Sequence, residues 1–216
     1  MKIMWNDAKI TGYVTSVTWA GSAKQAARTV AFSVAYSPND KNVKTLGIKL
    51  GDKIVFYPGY PDDKKTKFVG IITQRERKSE MGELQYTATD GMMHLLRSSG
   101  TYRFANKTPE KIAQMVCRDV KVKTGSIAKT KMPIAKIFFQ ERPYYEIIMA
   151  AYTKAYRKNK KKYIAQMNGD KLEVIQKGKV IPNFHIRQGE RITESSYTED
   201  CLLYTSPSPR GRQKSR

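Results

Sequence analysis

Apolar and polar side chains alternate through much of the first ninety residues with the period of two that marks half-buried strands. The clearest block runs from Leu50 to Leu96. Gly51-Asp52 leads into Lys53 to Tyr57, where Ile54 and Phe56 share one face and Val55 and Tyr57 the other. Pro58 to Lys67 combines two prolines, Gly59 and a charged run, which predicts an exposed loop. A strand resumes over Phe68 to Arg75 with Val69 and Ile71 on one side, and after the polar turn Lys78 to Gly82 the side chains Leu84, Tyr86 and Ala88 alternate inward. Asp90-Gly91 closes the block, because an aspartate can accept the free N–H groups that start a short helix over Met92 to Leu96.

Upstream, residues 11–19 and 28–35 predict a long hairpin. Val14 and Thr18 stand opposite Tyr13, Val17 and Trp19 in the first strand, and Val30, Phe32 and Val34 share a face in the second. The connection Ala20 to Ala27 reads as a long loop, and Ser37-Pro38-Asn39-Asp40 as a turn. Five strands and a helix by about residue 97 suffice for a small barrel. At Thr108-Pro109 the pattern becomes helical, an N-cap and a first-turn proline followed by Ile112, Met115, Val116 and Val120. Pro143 opens a second helix with a stripe of Tyr145, Ile148, Met149, Tyr152 and Tyr156, and Lys158 to Lys162 fall at its negative end. A hairpin follows, Tyr163 to Met167 and Leu172 to Ile175, with Asn168-Gly169 as its type I′ turn. Gly178 to Pro182 reads as a hinge, and the chain is extended again from Phe184.

The fold class expected is therefore α+β, mainly antiparallel β. Residues 1–105 are expected to form a small β-barrel, 106–180 an α+β unit of two helices and a hairpin, and 181–200 the start of a second sheet that stops almost as soon as it begins. Residues 201–216 form a tail without periodicity. That tail, CLLYTSPSPRGRQKSR, resembles translated sequencing-adaptor sequence and is expected to be non-native, with the chain truncated near Asp200.

Composition narrows the function. With 216 residues, 40% of them hydrophobic, there is material for ordinary cores. No run approaches the roughly 18 apolar residues of a membrane span, and MKIMWNDAKI lacks the apolar core of a signal peptide, so the default address is cytoplasmic. Cys117 and Cys201 stand far apart without a CxxC, which argues against a disulfide framework or thiolate zinc site and makes Cys117 a buried filler. The formal charge is +21, and removing Arg210, Arg212, Lys214 and Arg216 of the tail leaves 36 basic against 19 acidic residues. A surplus of this size suits nucleic acid, an anionic surface or an acidic protein partner. It gathers at Lys64 to Lys67, Arg75 to Lys78 and Arg157 to Lys162, runs that also suit a solvated face.

Signatures of catalysis are scarce. HExxH, GxSxG and GxxxxGK[ST] do not occur, and the two histidines, His94 and His185, lie on different expected domains. The pairs Glu80 with Glu83 and Glu141 with Glu146 are the local carboxylate pairs a glycosidase would need, yet their spacing does not separate them from solubilising charges. Asp90 reads as a helix cap before it reads as an acid or ligand. No catalytic, cofactor-binding or metal-binding residue is assigned, and no cofactor is expected. Basic runs interleave with Tyr57, Tyr60, Tyr102, Tyr144 and Tyr163 as in single-strand binders, but RRM, KH and helix-turn-helix signatures are missing.

A series of blocks adds a family resemblance. Val17-Thr18-Trp19-Ala20-Gly21, Gln25-Ala26-Ala27-Arg28, Phe32-Ser33-Val34 and Ser37-Pro38-Asn39-Asp40 come first. Gly51-Asp52, Phe68-Val69-Gly70, Ala88-Thr89-Asp90, Gly100-Thr101-Tyr102, Thr108-Pro109-Glu110, the helix Tyr145 to Tyr156 and Glu194-Ser195-Ser196-Tyr197 follow. In this order they resemble the XkdQ/YqbQ-like tail proteins of phages and defective prophages of Gram-positive bacteria, a family similar to baseplate hub proteins of the late control protein D type. The resemblance implies a virion structural protein rather than an enzyme, built as a first hub β-barrel (residues 1–105), an inserted α+β domain (106–180) and the beginning of a second, truncated β-barrel (181–200). Three copies would form a homotrimeric ring that joins the tail tube to the spike, with other baseplate proteins and the tape-measure protein as partners, assembled in the bacterial host cytoplasm. Two alternatives remain from the residues: a nucleic-acid-binding module using the basic surface, and a tail-associated peptidoglycan hydrolase.

Overall fold

The computed structural model describes residues 1–22, 25–37, 45–59, 67–78 and 82–178. Residues 1–90 of this set supply β1 (Lys2–Trp5), β2 (Ala8–Lys9), β3 (Val14–Ser22), β4 (Gln25–Ala35), β5 (Lys53–Tyr57), β6 (Phe68–Lys78) and β7 (Glu83–Asp90). They form one antiparallel sheet in the order β2-β1-β5-β6-β7-β4-β3. The first hairpin was not expected, and its turn explains it. Asn6 and Asp7 both have positive φ, 43° and 70°, as a two-residue type I′ turn requires, and Asn and Asp tolerate that conformation. Asn6 then ties the turn to β5, its N–H donating to the Lys53 carbonyl at 3.1 Å and its side-chain oxygen accepting the Lys53 N–H at 3.0 Å.

The sheet is curled. In a flat sheet β3 and β5 would lie about 19 Å apart, four strand spacings of about 4.8 Å. Instead Trp19 of β3 packs edge-on against Phe56 of β5, with ring centroids 5.9 Å apart, and against Phe68 of β6 at 6.4 Å. The concave face holds Ile3, Val30, Phe32, Val34, Ile54, Phe56, Phe68, Ile72, Tyr86 and Ala88, every one at most 5% exposed. Phe32 stacks on Tyr86 at 5.4 Å. Gly70 makes the close pairing possible, since a Cβ there would sit 2.5 Å from the Thr89 carbonyl oxygen.

Two expectations for β3 and β4 need correction. The register shifts between Val14 and Ser16, a β-bulge that turns Val14 to the same side as Val17 and Trp19 rather than the opposite one. The hairpin connection is also shorter than the small residues suggested. Ser22 pairs with Gln25, so the strands continue through Ala20-Gly21-Ser22 and Gln25-Ala26-Ala27, and Ala27 is buried at 7% exposure. The turn at 37–40, most of the loop 58–67, the turn 78–82, the extended segment from Phe184, the second barrel and the tail lie wholly or largely outside the described residues.

The chain then passes through α1 (Met92–Arg97), β8 (Ser99–Lys107), α2 (Pro109–Asp119), β9 (Lys123–Ile127), β10 (Ile134–Pro143), α3 (Tyr144–Asn159), β11 (Tyr163–Asn168) and β12 (Lys171–Gln176). β8 and β10 form a two-stranded antiparallel sheet. β11, β12 and β9 form a second sheet, with β9 parallel to β12. These elements enclose their own core, in which Met92, Leu95, Ile112, Val116, Cys117, Ile147, Ile148 and Leu172 are fully buried. α3 is buried along Ile147, Ile148, Ala151, Tyr152 and Ala155, whereas Tyr145, Met149 and Tyr156 of the expected stripe are half-buried. The alanines let α3 approach its neighbours closely, so the buried face is rotated toward the small residues.

The two turns read as motifs also differ. Asn168 pairs with Lys171, so Gly169 and Asp170 are the central residues, and only Gly169 has positive φ (59°), which suits a type II′ turn. Thr108 occupies the N-cap position of α2 with extended backbone, and its carbonyl accepts the Ile112 N–H at 3.0 Å. Its hydroxyl, however, is buried and bonds no protein group among the described residues. A capping threonine replaced by a non-capping residue costs about 1 kcal/mol. Here Thr108→Val is expected to leave stability unchanged or raise it by up to about 1 kcal/mol, because an unpaired buried hydroxyl is removed without loss of shape. Urea unfolding of the two proteins decides it, a clear loss favouring a true cap.

Candidate functional site

Asp90 is the charged residue that the fold places most deliberately. It ends β7, is 2% exposed, and divides its oxygens between two backbone groups. One accepts the Met92 N–H at 3.1 Å, starting α1, and the other accepts the Arg28 N–H of β4 at 3.1 Å. The N-cap position itself is Gly91, which has no side chain to cap with, so Asp90 serves α1 from one residue earlier, and the same carboxylate also fastens β4. Burial pushes its pKa above the ordinary carboxylate value, against the opposing pull of the two N–H groups and the Arg28 charge. Arg28 itself reaches across to β11, its guanidinium donating to the Gln166 side chain at 3.0 Å.

Beside Asp90 lies a cleft of about 310 Å³ lined by parts of β6, α1, β9 and the β11–β12 turn, including Lys53, His94, Lys121, Lys123 and Asp170. It brings a histidine near two acids, so its chemistry has to be weighed. Asp90 is committed to backbone. Asp170 pairs with Lys123 at 2.9 Å, which lowers the Asp170 pKa and raises that of Lys123, and both side chains are substantially exposed, where such a pair is screened. The His94 side chain is exposed and makes no hydrogen bond or ion pair among the described residues, its backbone alone being bonded, to Gly91 and Ser98. A general acid or base must sit within hydrogen-bond reach of an orienting partner or substrate proton, and no such pair is assembled here.

The remaining singled-out residues are scattered. Glu141 lies at a bulge in β10 with φ 47°, and exposed Glu146 meets Arg142 at 3.5 Å. Glu80, His185, Tyr60 and Cys201 fall outside the described residues. Cys117 is fully buried, and burial pushes its thiol up to about 12, the mark of an inert filler. Among the described residues, His, Cys, Asp and Glu form no cluster able to hold a metal, and no helix is long and apolar enough to cross a membrane. The described interleaved tyrosines are half-buried and engaged by neighbouring side chains. Tyr102 stacks on Phe104 and donates to Asp119 at 2.8 Å, Tyr144 packs edge-on against Tyr102, Tyr163 packs on Tyr152, and Lys2 lies over the Tyr57 ring.

A second committed carboxylate was not foreseen. Glu110 in the first turn of α2 accepts the Thr130 hydroxyl at 2.9 Å and the N–H groups of Thr130 and Lys131 at 3.2 Å, clamping the approach to β10. Burial alone raises its pKa, but its own backbone N–H together with these bonds outweighs it and holds the carboxyl below its ordinary 4.5. The stabilisation is therefore present in full above that value and is lost as pH falls through the depressed folded pKa. Glu110→Gln, which keeps one acceptor, is expected to lose about 1–2 kcal/mol at pH 7. The gap to the parent protein should close below pH 4.5 in a pH series of urea midpoints, and a constant gap would contradict the clamp.

What the molecule offers most openly is surface. On the outer face of the β8–β10 sheet Phe138 is 57% exposed and lies opposite Arg103. The sequence reading passed over this strand, although two adjacent phenylalanines cannot both face inward if the segment is extended.

Comparison with known proteins sets these observations in a family. The model of the family described as YQBQ-like matches residues 17–201. This chain belongs to the YqbQ-like family. It is the family that the ordered sequence blocks resemble. The uncharacterized protein YqbQ of Bacillus subtilis strain 168 is 25% identical over 138 residues, which is 63% of the present chain and 40% of that protein. Among solved structures, the 43 kDa tail protein of prophage MuSo2 from Shewanella oneidensis superposes with a TM-score of 0.68 at 12% identity, over 89% of the YqbQ-like chain and 57% of its own. The tail protein of Neisseria meningitidis MC58 gives a TM-score of 0.57 at 12% identity, over 80% and 49% of the two chains. At these identities the likeness is one of fold, and the YqbQ-like chain spans roughly half the length of these relatives.

Proposed function

We propose that this YqbQ-like chain is part of a structural subunit of a phage or prophage tail, placed at the baseplate hub where the tail tube meets the spike. The observation that carries this is the superposition of its curled sheet and α+β body on the 43 kDa prophage tail protein at a TM-score of 0.68. The distribution of its charged groups supports it, because the buried or clamped carboxylates Asp90 and Glu110 serve backbone N–H groups rather than a substrate. In this reading the sheet of residues 1–105 is the first hub barrel, the α+β elements are inserted between it and a second barrel beginning near residue 181, and three copies close a ring. Partners are the tube, the spike and neighbouring baseplate proteins. The location is the virion tail, reached after assembly in the bacterial host. A closed threefold ring requires that each subunit present two different complementary faces.

Size-exclusion chromatography with light scattering on the full-length protein tests the ring. A trimer is expected, and a strictly monomeric species at high concentration would refute it.

A further inference from the structure

We infer that the open edge of β10 is a docking site for an extended, acidic segment of a partner protein, which adds there as a further strand. The inference does not depend on the tail reading. β10 pairs with β8 on one side only, so its other edge carries strand backbone with no neighbouring strand among the described residues. A groove of about 950 Å³ runs along that edge, between β10 and α3. Consecutive residues of β10 touch it, inward-facing Ile137 and Phe139 together with outward-facing Lys136 and Phe138, and no residue of β8 does. The groove therefore follows the strand's edge rather than covering one of its faces. A second cleft of about 310 Å³ continues it toward Met132, the two meeting at Lys136, Lys154 and Arg157.

The charges name the occupant. Lys136, Lys154 and Arg157 have no acidic partner among the described residues, and the Lys154 ammonium reaches only the Lys136 backbone carbonyl, at 3.5 Å. Arg142 adds a fourth cation, shared with Glu146, the one acid of the groove. A surplus of cations beside an open strand edge suits an extended chain with acidic side chains. Exposed Phe138, at 57%, supplies an apolar contact for one of its alternate side chains. Strand addition gives affinity through main-chain hydrogen bonds, and the cations give selectivity and speed of encounter.

The test uses the full chain and a fluorescent octapeptide of alternating glutamate and valine, followed by anisotropy at low salt. Saturable binding is expected. It should weaken at least tenfold in the Lys136→Glu, Lys154→Glu double variant, weaken severalfold in Phe138→Ala, and strengthen in Glu146→Gln. All four positions are in or beside the exposed groove, and circular dichroism checks that the variants remain folded. A peptide N-methylated at every residue, which has no N–H to donate from either edge, should bind at least tenfold more weakly. Equal binding of the methylated peptide, equal binding of a lysine–valine octapeptide, or no saturation at millimolar concentration would each overturn the inference. Tight binding of single-stranded oligothymidylate with loss of the same lysine dependence for the acidic peptide would reassign the groove to nucleic acid and overturn it as well.

Discussion

Asp90→Ala is expected to cost about 2–5 kcal/mol, because two backbone N–H groups lose their acceptor at once and each unpaired donor costs about 1–3 kcal/mol. The Met92 N–H is the more deeply buried of the two, and its loss frays the start of α1, whose Met92 and Leu95 are fully buried in the second core. The Arg28 N–H releases β4 on the other side. Asp90→Asn should lose less, since the amide oxygen still serves one donor while its NH₂ faces the other. The pH dependence has a definite sign. Burial raises the folded pKa above the ordinary 3.8, so the folded state holds the proton more tightly than the unfolded chain. Stability from this group is therefore greatest at acid pH and declines as pH rises above 3.8 and through the folded pKa. The difference between parent protein and Asp90→Ala should narrow over that window in urea titrations. A variant that unfolds at the parental midpoint would remove Asp90 from its place as the fastener between the sheet and α1.

Trp19→Ala is expected to destabilise by about 2–4 kcal/mol, near the lower part of the range for large aromatic truncations because the ring is only partly buried. The indole spans the curl of the sheet, touching Phe56 and Phe68 from the far edge strand. Its loss opens the concave face at the point where the sheet returns on itself. Thr18→Ala, one residue away on the exposed side, should stay within about 0.5 kcal/mol of the parent. Trp19→Phe should recover much of the loss. If Trp19→Ala and Thr18→Ala behaved alike, the curl would not rest on this contact.

Legibility in the sequence followed the strength of local pattern. β5, β6 and β7 were readable because their apolar residues keep a period of two, Ile54 with Phe56 and Tyr86 with Ala88, although in β6 the face read from Val69 and Ile71 is the half-buried one and the buried face is Phe68, Gly70 and Ile72. α2 was readable because Pro109 and the spacing of Ile112 and Val116 agree. Apart from the β1–β2 hairpin, whose Asn6-Asp7 turn is itself a local signal, the elements missed are those whose reason is tertiary. β9, Lys123 to Ile127, is mostly polar and becomes a strand by pairing in parallel with β12. β8 and β10 carry apolar residues interrupted by a bulge at Glu141, which breaks the alternation a reader relies on. The bulge in β3 misled in the same way, moving Val14 across the sheet.

The site was legible only in outline. Asp90 could be read as a cap from its neighbour Gly91, but its second bond, to a backbone 62 residues earlier, has no local signature. The clamp at Glu110 joins residues 20 and 21 positions apart and is equally silent in the sequence. Family membership was readable because it depends on the order of short blocks, and two of the described blocks map onto positions the fold fixes. Phe68-Val69-Gly70 holds the strand where only glycine fits against Thr89, and Ala88-Thr89-Asp90 ends at the buried carboxylate.

The most direct measurement is quantitative mass spectrometry of gradient-purified tails from the phage that encodes the full-length protein. The structural role proposed here predicts that the protein copurifies with the tails at three copies for every six subunits in one ring of the tail tube. Its absence from tails that retain their baseplates would contradict that role outright.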